Sequence, residues 1–319
     1  MKRVVGFSLV ELMVAMVLGL LVIGGALGVF VANQTTSRTN IVLSELQNTA
    51  RLSHQLIAHD IRNAGLTGCN NSPRVSSVIA VAGARPAWAD WDAGGGIFGI
   101  SAPVAAINGR NVAAGTEAIR LMYGGGVSNT VSNYNGAAFT LNGAPVVPAG
   151  SIAIACDEHS ASIFQVNQVV GNQITHGVAG LNCDANLGYV FVNDWACGVA
   201  PARTFTNNAM LMRFESVVWF VAASLDDPNV NSLFRASLVG GQQVNEEVLF
   251  GVSDLRFNYL NGDTMTFQTA AAVNAANAWG RIIAVNVTLS LDNALLQGVN
   301  VPANARNINF LVSLRNRLR

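Results

Sequence analysis

Hydrophobic and polar positions divide the chain into three stretches. Residues 7–32 form an apolar run of 26 residues interrupted only by Ser8 and Glu11. As a helix such a run is about 39 Å long, more than the roughly 30 Å hydrocarbon core of a bilayer. The pattern therefore predicts a helix long enough to cross a membrane. From residue 33 to 63 polar side chains dominate, yet Val42, Leu46, Thr49, Ser53, Ile57 and Ile61 recur at helical spacing, with Leu56 beside them. One such stripe suits packing on a sheet. The first proline is Pro73, so nothing blocks a single helix from Phe7 to about Ala64, where Gly65 is a plausible stop.

After Cys69 the period changes. Ten short runs rich in β-branched and aromatic residues lie between Gly, Asn and Pro turns: 75–81, 118–122, 138–141, 151–155, 163–170, 210–222, 233–238, 248–259, 281–291 and 307–314. This spacing predicts a mostly antiparallel sheet. Residues 88–99 and 124–137 are Gly- or Asn-rich and predict long loops. Residues 270–278 predict a short helix or a loop. The expected fold class is α+β, a long N-terminal helix packed on a large antiparallel β domain.

Charge sharpens the picture. Lys2 and Arg3 precede the apolar run, and Lys2 is the only lysine of the 319 residues. The positive-inside rule puts that end in the cytoplasm and the β-rich remainder outside it. Charged residues are 11% of the chain and no basic face stands out, which speaks against nucleic-acid binding. Asparagine, with 33 copies, supplies much of the polarity. Cys69, Cys156, Cys183 and Cys197 are an even number outside the cytoplasm and predict two disulfides. Cys69 follows the helix and Cys156 ends a predicted strand; Cys183 and Cys197 share a loop-rich segment. Cys69–Cys156 with Cys183–Cys197 is the expected one of three connectivities.

Candidate chemistry is sparse. His54, His59, His159 and His176 form no H-E-x-x-H motif, no G-x-S-x-G surrounds a serine, and the triple glycines 94–96 and 124–126 lack the Lys-Ser/Thr of a P-loop. There is no C-x-x-C pair. Asp226, Asp227, Asn229 and Asn231 resemble the start of a Ca²⁺ loop, but Pro228 interrupts it and no Glu follows at the twelfth position, so a solvated turn is expected. No cofactor, no metal and no catalytic set is expected. Trp88 and Trp91 offer aromatic contacts if their loop is open.

Glu11 is the residue that a plain membrane anchor does not explain. A carboxylate in lipid costs about 2.5–3.5 kcal/mol on insertion scales, so it marks a function. A secretory signal peptide is excluded by the length of the apolar run. The order of basic leader, Gly6, Phe7 and Ser8-Leu9-Val10-Glu11-Leu12 resembles the class III prepilin signal of type IV pilins. The resemblance implies a leader of residues 1–6, cleavage between Gly6 and Phe7 by a prepilin peptidase, and N-methylation of Phe7. It also implies that Glu11 pairs with the Phe7 ammonium of a neighbouring subunit. The domains are then leader 1–6, transmembrane segment 7–32, amphipathic extension 33–65 and periplasmic β domain 66–319.

Ile61-Arg62-Asn63-Ala64-Gly65 before Gly68-Cys69, Ser232-Leu233-Phe234-Arg235, Gly251-Val252-Ser253-Asp254-Leu255 and Leu314-Arg315-Asn316-Arg317 are similar to segments of PilW-type minor pilins. That family implies a non-enzymatic subunit that primes pilus assembly and twitching motility at the tip. Its partners are other minor pilins and the major pilin. It lies in the inner membrane before assembly and in the pilus afterwards. The proline that common pilins carry in the membrane half is missing here. A type II secretion pseudopilin shares the signal. A signal-anchored periplasmic enzyme or an adhesive module are the alternatives from other classes.

Overall fold

The structure is a computed structural model, described over residues 8–69, 74–296, 299, 301–302 and 306–317. A single helix, α1 (Leu9–Asn63), spans 55 residues, about 82 Å at the standard rise. It ends where Ala64 turns away and Gly65 adopts φ +82, a conformation that favours glycine. Val42, Leu46, Thr49, Ser53, Ile57 and Ile61 are all buried, joined by Ala58 and Asp60.

The β domain has two sheets. In chain order its strands are β1 (Val75–Ser77), β2 (Ile97–Ile100), β3 (Ala118–Tyr134), β4 (Ala138–Leu141), β5 (Ile152–Cys156), β6 (Ala161–Gln165), β7 (Gln168–Val170) and β8 (Gln173–Thr175). They continue with β9 (Met210–Ala223), β10 (Asn231–Val239), β11 (Gln242–Phe250), β12 (Val252–Asn261) and β13 (Thr266–Gln268). After the short helix α2 (Ala270–Ala275) come β14 (Ile282–Leu291) and β15 (Asn307–Ser313). The large sheet runs β1-β6-β5-β9-β3-β4-β8-β7, with β2 also on β3 and β10 carrying β11 beside β9. The small sheet runs β13-β12-β14-β15. Among the described strands only β1 and β6 pair in parallel. The inner faces of both sheets and the α1 stripe meet in one core, where Val42, Leu46, Ile57 and Ile61 join Leu121, Trp219, Phe257 and Val287.

Several boundaries differ from the sequence pattern, each for a physical reason. Residues 124–134 are strand, not loop. Gly124 pairs with Phe214 and Gly125 with Arg213 before the register shifts ahead of Asn129. A Cβ at Gly124 would come within 2.2 Å of Met212 Sδ, so this glycine admits a neighbouring side chain instead of making a turn. The 88–99 stretch closes with β2, and Trp88 and Trp91 are buried in a satellite core. They offer no surface contact. The 163–170 run breaks because Asn182 takes over the backbone of Gln165, accepting from its N–H at 2.6 Å and donating to its carbonyl at 2.8 Å. The 248–259 run breaks at Gly251, whose φ of +76 lets the chain leave the large sheet and enter the small one.

The stripe supports a direct comparison. Leu46→Asp buries a carboxylate among apolar side chains and is expected to cost about 3 kcal/mol. Gln47→Asp, on the exposed face next door, should stay within about 0.5 kcal/mol. Thermal melting of the two variants in detergent checks this, and equal melting points would remove the stripe as the packing face.

Candidate assembly surface on the N-terminal helix

The helix begins with a closed cap. Ser8 has extended backbone, φ −79 and ψ 148, and its Oγ accepts from the Glu11 N–H at 3.3 Å. The Ser8 N–H donates in return to Glu11 Oε2 at 3.2 Å. This reciprocal capping box places the carboxylate at the positive end of the helix dipole. Glu11 is exposed, so its charge is open to a partner outside the subunit. Gly6 and Phe7, the expected cleavage and methylation positions, lie outside the described residues.

Beyond the cap none of the described residues covers the apolar half of α1. Leu12, Leu21 and Phe30 are 56%, 68% and 64% exposed. By length and composition the helix can cross a membrane. A side chain added at Gly19, Gly24, Gly25 or Gly28 would touch nothing within 4 Å. No contact among the described residues therefore accounts for these glycines.

At the other end α1 is held by several independent ties. Asp60 is 2% exposed and faces the large sheet. Its Oδ1 accepts from Tyr123 Oη at 2.6 Å; its Oδ2 accepts from Trp219 Nε1 at 2.9 Å and Arg235 Nε at 3.0 Å. Burial first, then the Asp60 charge and hydrogen bond, push the Tyr123 phenol far up, so it stays a donor. Burial alone would lower the Arg235 pKa, but the hydrogen bond and charge of Asp60 outweigh it and hold it above its ordinary value. Asn316 Nδ2 donates to the Asn63 and Ala64 carbonyls at 3.4 Å. Arg317 donates to the carbonyls of Gly94, Gly95 and Trp279 nearby. Burial lowers its pKa to about 10.

The cysteines pair as Cys69–Cys156 and Cys183–Cys197. The first ties the chain just past α1 to β5. The histidines are scattered: His54 packs edge-on against Phe310 at 4.9 Å, while His176 lies among the aromatic rings of another core cluster. Among the described residues no three His, Cys, Asp or Glu side chains come together as a metal site. The segment 226–230 is a turn between β9 and β10, where Asp227 Oδ1 accepts from the Asn229 N–H at 3.0 Å.

Sequence reasoning placed Asp60 only among the polar residues of the helix. A signal was present: position 60 lies three residues after Ile57 and seven after Ser53, on the apolar stripe itself. A carboxylate there has to find donors on the facing sheet.

The first 27 residues match the family model of the prokaryotic N-terminal methylation motif. No curated protein matches the chain. The motif and the helix behind it support a type IV pilin-like prepilin signal, consistent with membrane anchoring and with a structural subunit. The motif implies processing by a prepilin peptidase and assembly with other pilin-like subunits.

Proposed function

We propose that this chain is a minor pilin of a type IV pilus. It primes assembly together with other minor pilins, contacts the major pilin and stays at or near the tip. The observation that carries this reading is the methylation motif heading a 55-residue helix whose membrane half has no cover among the described residues. Such a helix needs lipid before assembly and other helices afterwards. The PilW-type segments in the β domain support the minor role over the major one. In this reading Phe7 becomes the methylated amino terminus after cleavage at Gly6, and Glu11 neutralises the corresponding ammonium of a neighbour. An unpaired carboxylate in an apolar surrounding is costly, and a fixed amine removes that cost. The β domain occupies the periplasm before assembly and the cell surface afterwards.

Mass spectrometry of the mature protein is expected to show loss of residues 1–6 and one methyl group on the Phe7 amine. A mature chain still beginning at Met1 in cells with an active prepilin peptidase overturns the processing. Glu11→Ala is expected to insert into the membrane normally and to be depleted severalfold from sheared pili. Normal pilus content of Glu11→Ala removes the pairing role. Immunogold labelling along pilus tips supports the minor-pilin reading; absence from pili together with a secretion defect on deletion of the gene moves the protein to the pseudopilins of a secretion system.

A further inference from the structure

The β domain has a second core, separate from the one that holds α1. Val131, Phe139, Leu141, Phe164, Ile174 and Phe205 belong to it, and β4, β8 and β7 form its outer flap. His176 directly follows β8 and is only 6% exposed. Its ring stacks on Tyr134 at 5.7 Å and lies 5.6 Å from Phe139 and 5.3 Å from Phe164. Nε2 is 3.0 Å from Tyr134 Oη, and Nδ1 has no partner among the described residues. The Tyr134 hydroxyl also donates to the Gly136 carbonyl at 3.1 Å. The neutral tautomer with the proton on Nε2 fits this arrangement, because the unpaired atom is then an acceptor rather than a buried donor.

A protonated ring would have no counter-charge among the described residues. The titratable group in contact is Tyr134 of β3, whose phenol burial pushes up to about 12, so it does not supply an anion. β4 and β6 present the rings of Phe139 and Phe164. The 200–209 segment presents Phe205, with the Arg203 guanidinium 3.9 Å over its ring. Arg203 is a like charge, already paired with Asp157 at 2.7 Å. Burial opposes ionisation of Asp157, but the His159 and Ser160 amides and Arg203 hold its carboxyl below the ordinary value. It therefore stays ionised and committed to Arg203 throughout the range where ordinary carboxylates are ionised.

We propose that His176 makes this lobe an acid-responsive element: protonation of the buried ring opens the β4–β8–β7 flap while the helix-bearing core stays closed. The direction follows from linkage. In the open lobe the imidazole takes up a proton near its ordinary value of about 6.5. In the closed lobe burial lowers that value to about 4. Between the two the open form binds more protons, so closure is fully stable above about 6.5 and weakens as pH falls towards 4. The inference does not depend on which filament the protein joins.

Hydrogen exchange of the full chain in detergent micelles tests it at pH 7 and pH 4.5, with protection factors corrected for the intrinsic pH dependence of exchange. In the wild type the opening of segments 138–141 and 168–176 should rise roughly fifty-fold. Strands β12 and β14 should change far less. In His176→Phe, which keeps the aromatic packing and cannot take a proton, the flap response should vanish. No response in the wild type, or an equal response in His176→Phe, overturns the proposal. NMR titration of the histidine rings in the wild-type chain is the second measurement. A His176 ring that titrates near pH 6.5 while the flap stays protected also overturns it.

Discussion

Replacing Asp60 by alanine is expected to destabilise the folded protein by about 3–5 kcal/mol. The carboxylate accepts from three side chains on three strands: Tyr123 on β3, Trp219 on β9 and Arg235 on β10. Removing it leaves a phenol, an indole N–H and a guanidinium without their acceptor in a buried place. Each unsatisfied donor costs on the order of 1–3 kcal/mol, and the charged one costs most. Asp60→Asn should lose less, since an amide oxygen still accepts while the charge is gone. Exchanging both partners, Asp60→Leu with Arg235→Met, should recover the share of the loss that belongs to the orphaned guanidinium but not that of Tyr123 and Trp219, which still lack an acceptor. Thermal melting of the singles and the double gives the coupling energy. A single-mutant loss below about 1 kcal/mol would mean that the helix is held by its apolar stripe alone.

The second large effect belongs to the disulfide between Cys69 and Cys156. It closes a sequence separation of 87 residues, against 14 for Cys183–Cys197. In the loop-entropy model the long crosslink is worth about 4–5 kcal/mol and the short one about 3. For a domain of this size each kcal/mol moves the melting point by roughly 2–4 °C. Cys69→Ala with Cys156→Ala should therefore lower it by roughly 10–15 °C, and the Cys183 and Cys197 pair by clearly less. Cys156 is buried beside Met212 and Ile154, so alanine is the cleaner replacement than serine. Peptide mapping without reduction establishes the connectivity first. Equal shifts for the two pairs would show that the long bond constrains nothing beyond what the Asp60 ties already hold.

The glycine-rich stretch at 124–126 shows how far local reading goes. By composition it is a loop, and the structure makes it part of the 17-residue strand β3. Gly124 and Gly125 are there because the Met212 and Glu215 side chains fill the space a Cβ would need, while Gly126 has open space around it and a φ of +76. That pressure comes from β9, some 90 residues downstream, and leaves no trace in the local pattern. The same holds for His176, which as a lone histidine in a loop-rich stretch carried no signal. Its cage is assembled from Tyr134, Phe139 and Phe164, which come from three different strands.

The sequence by itself determined the long helix, its apolar and amphipathic halves, the buried stripe from Val42 to Ile61 and the β-rich character of the rest. Each of these follows from a period or a composition that neighbouring residues impose on one another. The methylation motif is local in the same sense, which is why the N-terminus was legible before any fold was known. Only the tertiary structure decided the division into two sheets, the strand through Gly124 and the role of Asp60. The partners of Asp60 stand 63, 159 and 175 residues away along the chain. Which donors meet a carboxylate at such separations depends on which strands pair and in what register, and strand pairing is a property of the whole domain rather than of any one stretch.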